Sequence, residues 1–445
     1  MFHQMLPAVR RRYLRSVTAL AAAGLLTVAF IGGCEENPTG PTAEDIAAAQ
    51  ELVDEGFVLL AGIAAGIDTM SQPPDLTTVE TKFEQAARLD PNNAGAHVGL
   101  ALVEMMLLSS DAEFMAAIGE LLGGEPPLAR GLAARLLPVG SPSLFTLGGW
   151  SPPALLARTL VADPQVPPDL EPLQTAIENT VLPLLDTVLS LLEAAEQNTE
   201  WSLTLSGVLP DTVQGGNLEI DATDVILLDA IVRGMKAGLH IFVAYNVNSP
   251  DPADTTAVKA AFNQTDGTWL VLRATGAANM GHAQASMLTM MSRMAAMQIA
   301  MAAETDDQSD DLFKIDPTGE SGFTQAQLDS LGMILTQASL ALSGPQVISQ
   351  DFDGDGLAEN LTVDLSTFFT SPVADFKQLL PPYYWHSGMQ SFFWNGYLEN
   401  DFTPFVFPDP TMNGVFPGLT TDAAFKAFFG VSAFPSPGPF AIGGR

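Results

Sequence analysis

Phe83-Glu-Gln-Ala86-Ala-Arg-Leu89-Asp90-Pro91-Asn92-Asn93-Ala94-Gly-Ala96-His97-Val-Gly-Leu100-Ala101 is the stretch on which the fold turns. A helix runs into Asp90-Pro91 and stops there, because proline has no amide hydrogen and its ring crowds the preceding turn. A second helix starts directly after it. The alanines on either side of the break are small enough to let the two helices approach closely. The local unit is therefore a helix pair.

This stretch resembles a tetratricopeptide-repeat junction. Phe83, Ala86 and Pro91 match the end of one repeat's second helix, and Ala94, Leu100 and Ala101 match the first helix of the next. His97 stands where that family usually has an aromatic. The resemblance covers about 78–122, with Asp111 to Leu122 as the following helix. It implies stacked helix pairs with a concave binding surface, although a repeat solenoid needs about three units to bury a continuous core. The rest of the body is expected to be helical without that pattern.

Working outward, a helix starts near Thr42, with Glu44 and Asp45 suited to its positive end. Ile46, Leu52, Phe57, Leu60, Ile63 and Ile67 form its apolar stripe. Asp169 to Gln197 reads as a long amphipathic helix in which Pro183 predicts a kink. Trp201 to Ser206 and Leu218 to Ile220 alternate with period two and predict a hairpin with a long loop. Asp221 then caps a nearly all-round apolar helix to about Tyr245, of the kind that lies buried. Thr268 to Arg273 reads as a short strand. A helix from about Met280 to Glu304 carries Met280, Met287, Met294 and Met301, with Met290 and Met297, on one seam. Thioethers are soft ligands that suit copper(I), and His282 is near. The competing reading is that methionine fills an irregular core groove. Gln325 to Leu342 makes one more amphipathic helix.

The N-terminus says where the chain resides. Arg10, Arg11, Arg12 and Arg15 precede an apolar run, Val17 to Phe30, and then Ile31-Gly32-Gly33-Cys34. The apolar run is about 14 residues, short of the ~20 that span a bilayer as a helix. This looks like a bacterial lipoprotein signal, which implies cleavage before Cys34 and acylation of its thiol. The chain has a single cysteine, so no intrachain disulfide can form. The four arginines of residues 1–33 would leave with the signal and no acid would, taking the formal net charge from −33 to −37. Such a charge repels nucleic-acid phosphates and anionic headgroups and excludes nucleic acid as a partner; it either attracts cations or basic proteins or serves solubility and adaptation to salt. Hydrophobic content of 47% argues for a large core.

Asp351-Phe-Asp353-Gly-Asp355-Gly356-Leu357-Ala-Glu359 places carboxylates at the first, third, fifth and ninth positions of a tight loop. Hard oxygen ligands in that order suit calcium. The stretch resembles the calcium loops of EF-hand and dockerin proteins, but Thr362 stands at the twelfth position, where the EF-hand has a bidentate Glu. Val347-Ile348 and Leu361 to Val363 look extended around it, so a plain Asp- and Gly-rich hairpin turn is the alternative. Beyond it, Tyr383-Tyr384-Trp385, Phe392-Phe393-Trp394, Phe405 and Phe407 are interleaved with Pro and Gly. Tyr384, Trp385 and Trp394 could stack on a glycan, or the segment could wrap the body and pin itself with aromatics.

No His-Glu-x-x-His pair, Gly-x-Ser-x-Gly elbow, Ser-x-x-Lys pair or phosphate loop occurs. His97, His240, His282 and His386 are scattered, and Cys34 is committed to lipid. The expected organisation is a signal peptide (1–33), a tether (34–42), a helical body (43–345), and an Asp-rich loop with an aromatic segment (346–445). The expected fold is mainly α: a tetratricopeptide-like helical body with a small β-hairpin element and an irregular aromatic-rich C-terminal wrap. The expected function is non-catalytic: a lipid-anchored envelope protein, of the outer membrane facing periplasm or surface, that binds another envelope protein. The alternative is a glycan- or nutrient-capturing lipoprotein analogous to the SusD-like class. A hydrolase with a calcium-stabilised fold is the third.

Overall fold

The computed structural model describes residues 40–66, 75–108, 111, 170–206, 217–248, 256, 267–304, 324–350, 358–379, 383–386, 391–394 and 406–429. The chain divides into two units, Met1–Asp45 and Ile46–Arg445. In the first, Thr42 caps the start of a helix, its hydroxyl accepting from the Asp45 amide and donating to the Asp45 carboxylate. The second unit is mainly helical.

Helix α1 (Ala43–Gly66) leads to α2 (Thr77–Leu89) and α3 (Ala94–Leu107). Asp90-Pro91 ends α2 as the sequence predicts, and the Asn93 side chain accepts from the Ala96 amide to open α3. Phe83, Ala86, Ala94, Ala96 and Ala101 are fully buried. Phe83 lies between Gly56 of α1 and Gly99 of α3. A Cβ at Gly56 would sit 2.7 Å from its ring, and one at Gly99 would meet the same ring. The helix pair is thus present and tightly packed. The helix expected over Asp111 to Leu122 lies outside the described residues.

Helix α4 spans Glu171–Ala195, and its middle, Ile177–Val181, is a π-turn. Pro183 is the cause: its ring cannot fit under the carbonyl four residues earlier, and the wider turn relieves that clash. The predicted kink is realised as this bulge. Among the described residues α4 alone is long and apolar enough to cross a bilayer. Leu182, Leu185, Leu189 and Leu192 are nevertheless buried in the core shared with α3 and α5.

The expected hairpin forms from β1 (Ser202–Ser206) and β2 (Asn217–Asp221), with Leu203 opposite Ile220. It delivers Asp221 to the start of α5 (Ala222–Ala244), where Asp221 and Asp224 close a reciprocal capping box. Helix α6 (Gly276–Ala303) runs back along α5. Gly276 allows that approach, since any Cβ there would strike the Ala244 carbonyl. Between them Thr268 to Arg273 is a turn with isolated bridges, not a strand. Gly267 and Leu270 have positive φ, which curls the backbone, and the curl is held by the Leu270 amide on the Asn246 carbonyl. Met280, Met297 and Met301 are buried, so the methionine seam fills core.

Helix α7 (Gln325–Ser343) packs on α6 and leads into a hairpin of β3 (Gln346–Gln350) and β4 (Glu359–Val363). The short helix α8 (Ser366–Thr370) and a 3-10 turn (Phe376–Leu379) follow. A third hairpin pairs β5 (Tyr383–His386) with β6 (Ser391–Trp394). Helix α9 (Asp422–Phe429) closes the described chain. Phe407, Val415, Leu419 and Phe425 pack with Ala341, Leu361 and Val363 as a separate apolar cluster.

Candidate functional site

Cys34 and Asp351, Asp353 and Asp355 lie outside the described residues. Glu359 opens β4 opposite Gln350, so the Asp-rich loop joins two paired strands. Tyr384 pairs in register with Phe393, Trp385 with Phe392, and Tyr383 with Trp394. Among the described residues, no group of three or more His, Cys, Asp or Glu side chains could hold a metal ion.

What the structure brings together is a polar junction of α4, α5 and α6. The antiparallel course of α5 and α6 sets His240, near the end of one, beside Asn279 and His282, near the start of the other. The His240 Nδ1 lies 2.8 Å from the Asn279 Oδ1. The Asn279 amide nitrogen donates to Glu178 Oε1 at 3.0 Å, and Thr275 Oγ1 donates to the same oxygen at 2.8 Å. Arg273 pairs with the other Glu178 oxygen at 2.9 Å and donates to the Val243 carbonyl. Glu178 belongs to the π-turn, so the bulge carries it. Gln174, one turn earlier, donates to the carbonyls of Phe242 and Tyr245 and ties off the end of α5.

This chain of bonds settles a tautomer. A carboxylate only accepts, so the Asn279 nitrogen faces Glu178 and its oxygen faces His240. His240 Nδ1 therefore carries the hydrogen, and Nε2 carries the lone pair. That Nε2 is buried and has no hydrogen-bond partner. Burial, helped by the nearby charge of Lys236, holds the His240 pKa below the usual histidine value and keeps the ring neutral. The His282 ring lies beside it, centroids 5.2 Å apart and planes 31° from parallel. His240 is 6% exposed, while His282 is exposed.

About three turns along the same helices sits an ionic knot. Asp229, fully buried, receives Arg233 Nε at 2.6 Å and lies 3.5 Å from Arg293 Nε. Arg233 also reaches Glu193, and Arg293 holds Glu196 at 2.6 Å. Burial raises the Glu196 pKa to about 7, with Arg293 opposing and Asp229 reinforcing. Burial likewise raises Asp221 to about 6, reinforced by Glu304, which Thr223 also bonds. The sign for stability follows. Between about pH 4 and 7 these two carboxyls keep protons in the folded state that they lose in the unfolded chain, so their contribution to stability falls as pH rises, against a smaller opposite contribution from His240. Thermal unfolding measured across pH should give a higher melting temperature at pH 5 than at pH 8. Glu196→Gln should flatten that slope, and a variant profile parallel to the wild type would refute this assignment.

The histidine pair escaped the sequence reading because His240 and His282 are far apart in the chain. The one local signal was Asn279 and His282 at a spacing of three on one helix face. Comparison with family models, with curated proteins and with solved structures finds no match.

Proposed function

We propose that the chain is a non-catalytic, lipid-anchored envelope protein whose helical body binds another protein. One observation carries the reading: an outward apolar surface on α6 and α7. Ile299 is 73% exposed and Met333 63%, and Ile334 and Leu340 are also exposed on α7. The Gln298 side chain, next to Ile299, donates to the α7 carbonyl of Leu328, so these two helices lie side by side there. Exposed apolar residues grouped this way mark interaction sites on soluble bodies. The acidic net charge favours a partner whose apolar contact is ringed by Lys and Arg. The lipobox-like Ile31 to Cys34 supplies the anchor.

A photo-crosslinking residue at Met333 in cells should capture one dominant envelope protein, and the same probe at exposed Thr81 should not. Equal or absent products from the two positions would remove the reading. Cys34→Ser should move the protein from the membrane to the soluble fraction, and unchanged membrane association would remove the anchor. The pairing of Tyr383, Tyr384 and Trp385 with Phe392, Phe393 and Trp394 in one hairpin favours glycan capture as a second reading. Quenching of tryptophan fluorescence by oligosaccharide tests it. The order Asp351, Asp353, Asp355 and Glu359 in the sequence supports a structural calcium loop as a further reading, with a plain Asp- and Gly-rich hairpin turn as its alternative. Calorimetry with millimolar calcium decides that point.

A further inference from the structure

We propose that His240 and His282 form a binding site for a borderline divalent ion of the zinc class. The donor set is imidazole nitrogen, which suits zinc, copper and nickel over calcium or magnesium. His240 is built as such a ligand. Its Nδ1–H is spent on Asn279, which Glu178 orients, and this is how metal-binding histidines are held from behind. The arrangement leaves Nε2 as a buried lone pair with no hydrogen-bond partner. A partnerless buried nitrogen needs an explanation, and a metal ion gives one.

The spacing agrees. Two imidazoles that share one tetrahedral ion through bonds of about 2.0–2.1 Å have ring centroids roughly 5 Å apart. The His240 and His282 centroids are 5.2 Å apart. His282 is exposed, so it can turn its ring toward an arriving ion without disturbing the core. No third His, Cys, Asp or Glu completes a set with them among the described residues, so water would fill the remaining positions and the ion would exchange. Lys236, which precedes His240 by one turn of α5, is paired with Asp186. The net charge of −33 draws cations toward the whole surface.

The test uses the full-length chain in detergent, stripped with a chelator and titrated with Zn²⁺ alone by calorimetry. Co²⁺ is titrated in parallel and followed by its visible absorption. One equivalent should bind, with the absorption of tetrahedral nitrogen-ligated cobalt. His282→Ala should abolish binding, and because the side chain is exposed the variant should keep its helical circular dichroism. Asn279→Ala should weaken affinity roughly 10–100-fold by freeing the His240 ring. His97→Ala should leave binding unchanged. Saturable binding that survives His282→Ala, or no saturable binding, would overturn the proposal.

Discussion

Phe83→Ala should lower the unfolding free energy by about 3–5 kcal/mol, the range for emptying a buried phenylalanine site. The ring is fully buried and meets Phe57 edge-on with centroids 5.0 Å apart. It is enclosed by Gly56 and Gly99, positions with no side chain that could relax into the space. Collapse of the cavity would need α1 and α3 to move as whole helices, so the upper part of the range is expected. Against a typical total of about 5–15 kcal/mol this is a large share. Phe83→Leu, which keeps most of the volume, should cost much less. Urea denaturation of the two variants measures both, and a loss under about 1 kcal/mol for alanine would show that the three helices do not close on this ring.

Arg233→Met should cost about 3–5 kcal/mol for a different reason: it strands a charge. Asp229 has no solvent contact, and Arg233 supplies both of its close hydrogen bonds, at 2.6 and 3.2 Å. Arg293 at 3.5 Å keeps a weaker ion pair with the carboxylate, so the lower end of that range is expected. The lost contact to Glu193 adds little, because that carboxylate is half exposed. Asp229→Asn placed in the Arg233→Met background should restore much of the loss, since it removes the unpaired charge. A double variant no more stable than the single one would mean that the arginine acts through packing of its stem.

Both variants probe parts of the molecule that were unequally legible in the sequence. The helices and two of the hairpins could be read because their cues are local: Asp90-Pro91 as a stop, Asp221 as a cap, and period-two alternation from Trp201. Thr268 to Arg273 could not, because its curl is held by distant backbone at Asn246 and by the Phe376 amide on the Leu270 carbonyl. Apolar, β-branched content there describes burial and says nothing about those partners. The histidine junction was hidden for the same reason, since it depends on which turns of α5 and α6 face each other. Pro183 announced a disturbance in α4, but its form, a bulge instead of a bend, depended on what the helix had to reach.

That form has a consequence for insertions and deletions. An α-helix advances about 100° per residue, so a residue removed from Ile177–Val181 would not merely shorten α4 but would rotate everything before it. Gln174 would swing off the carbonyls of Phe242 and Tyr245, and Glu178 would lose Asn279, while Leu185 to Leu192 stayed seated. One codon therefore controls the angular setting of the whole N-terminal end of α4, and the end of α5 and the aim of His240 are locked to the same dial.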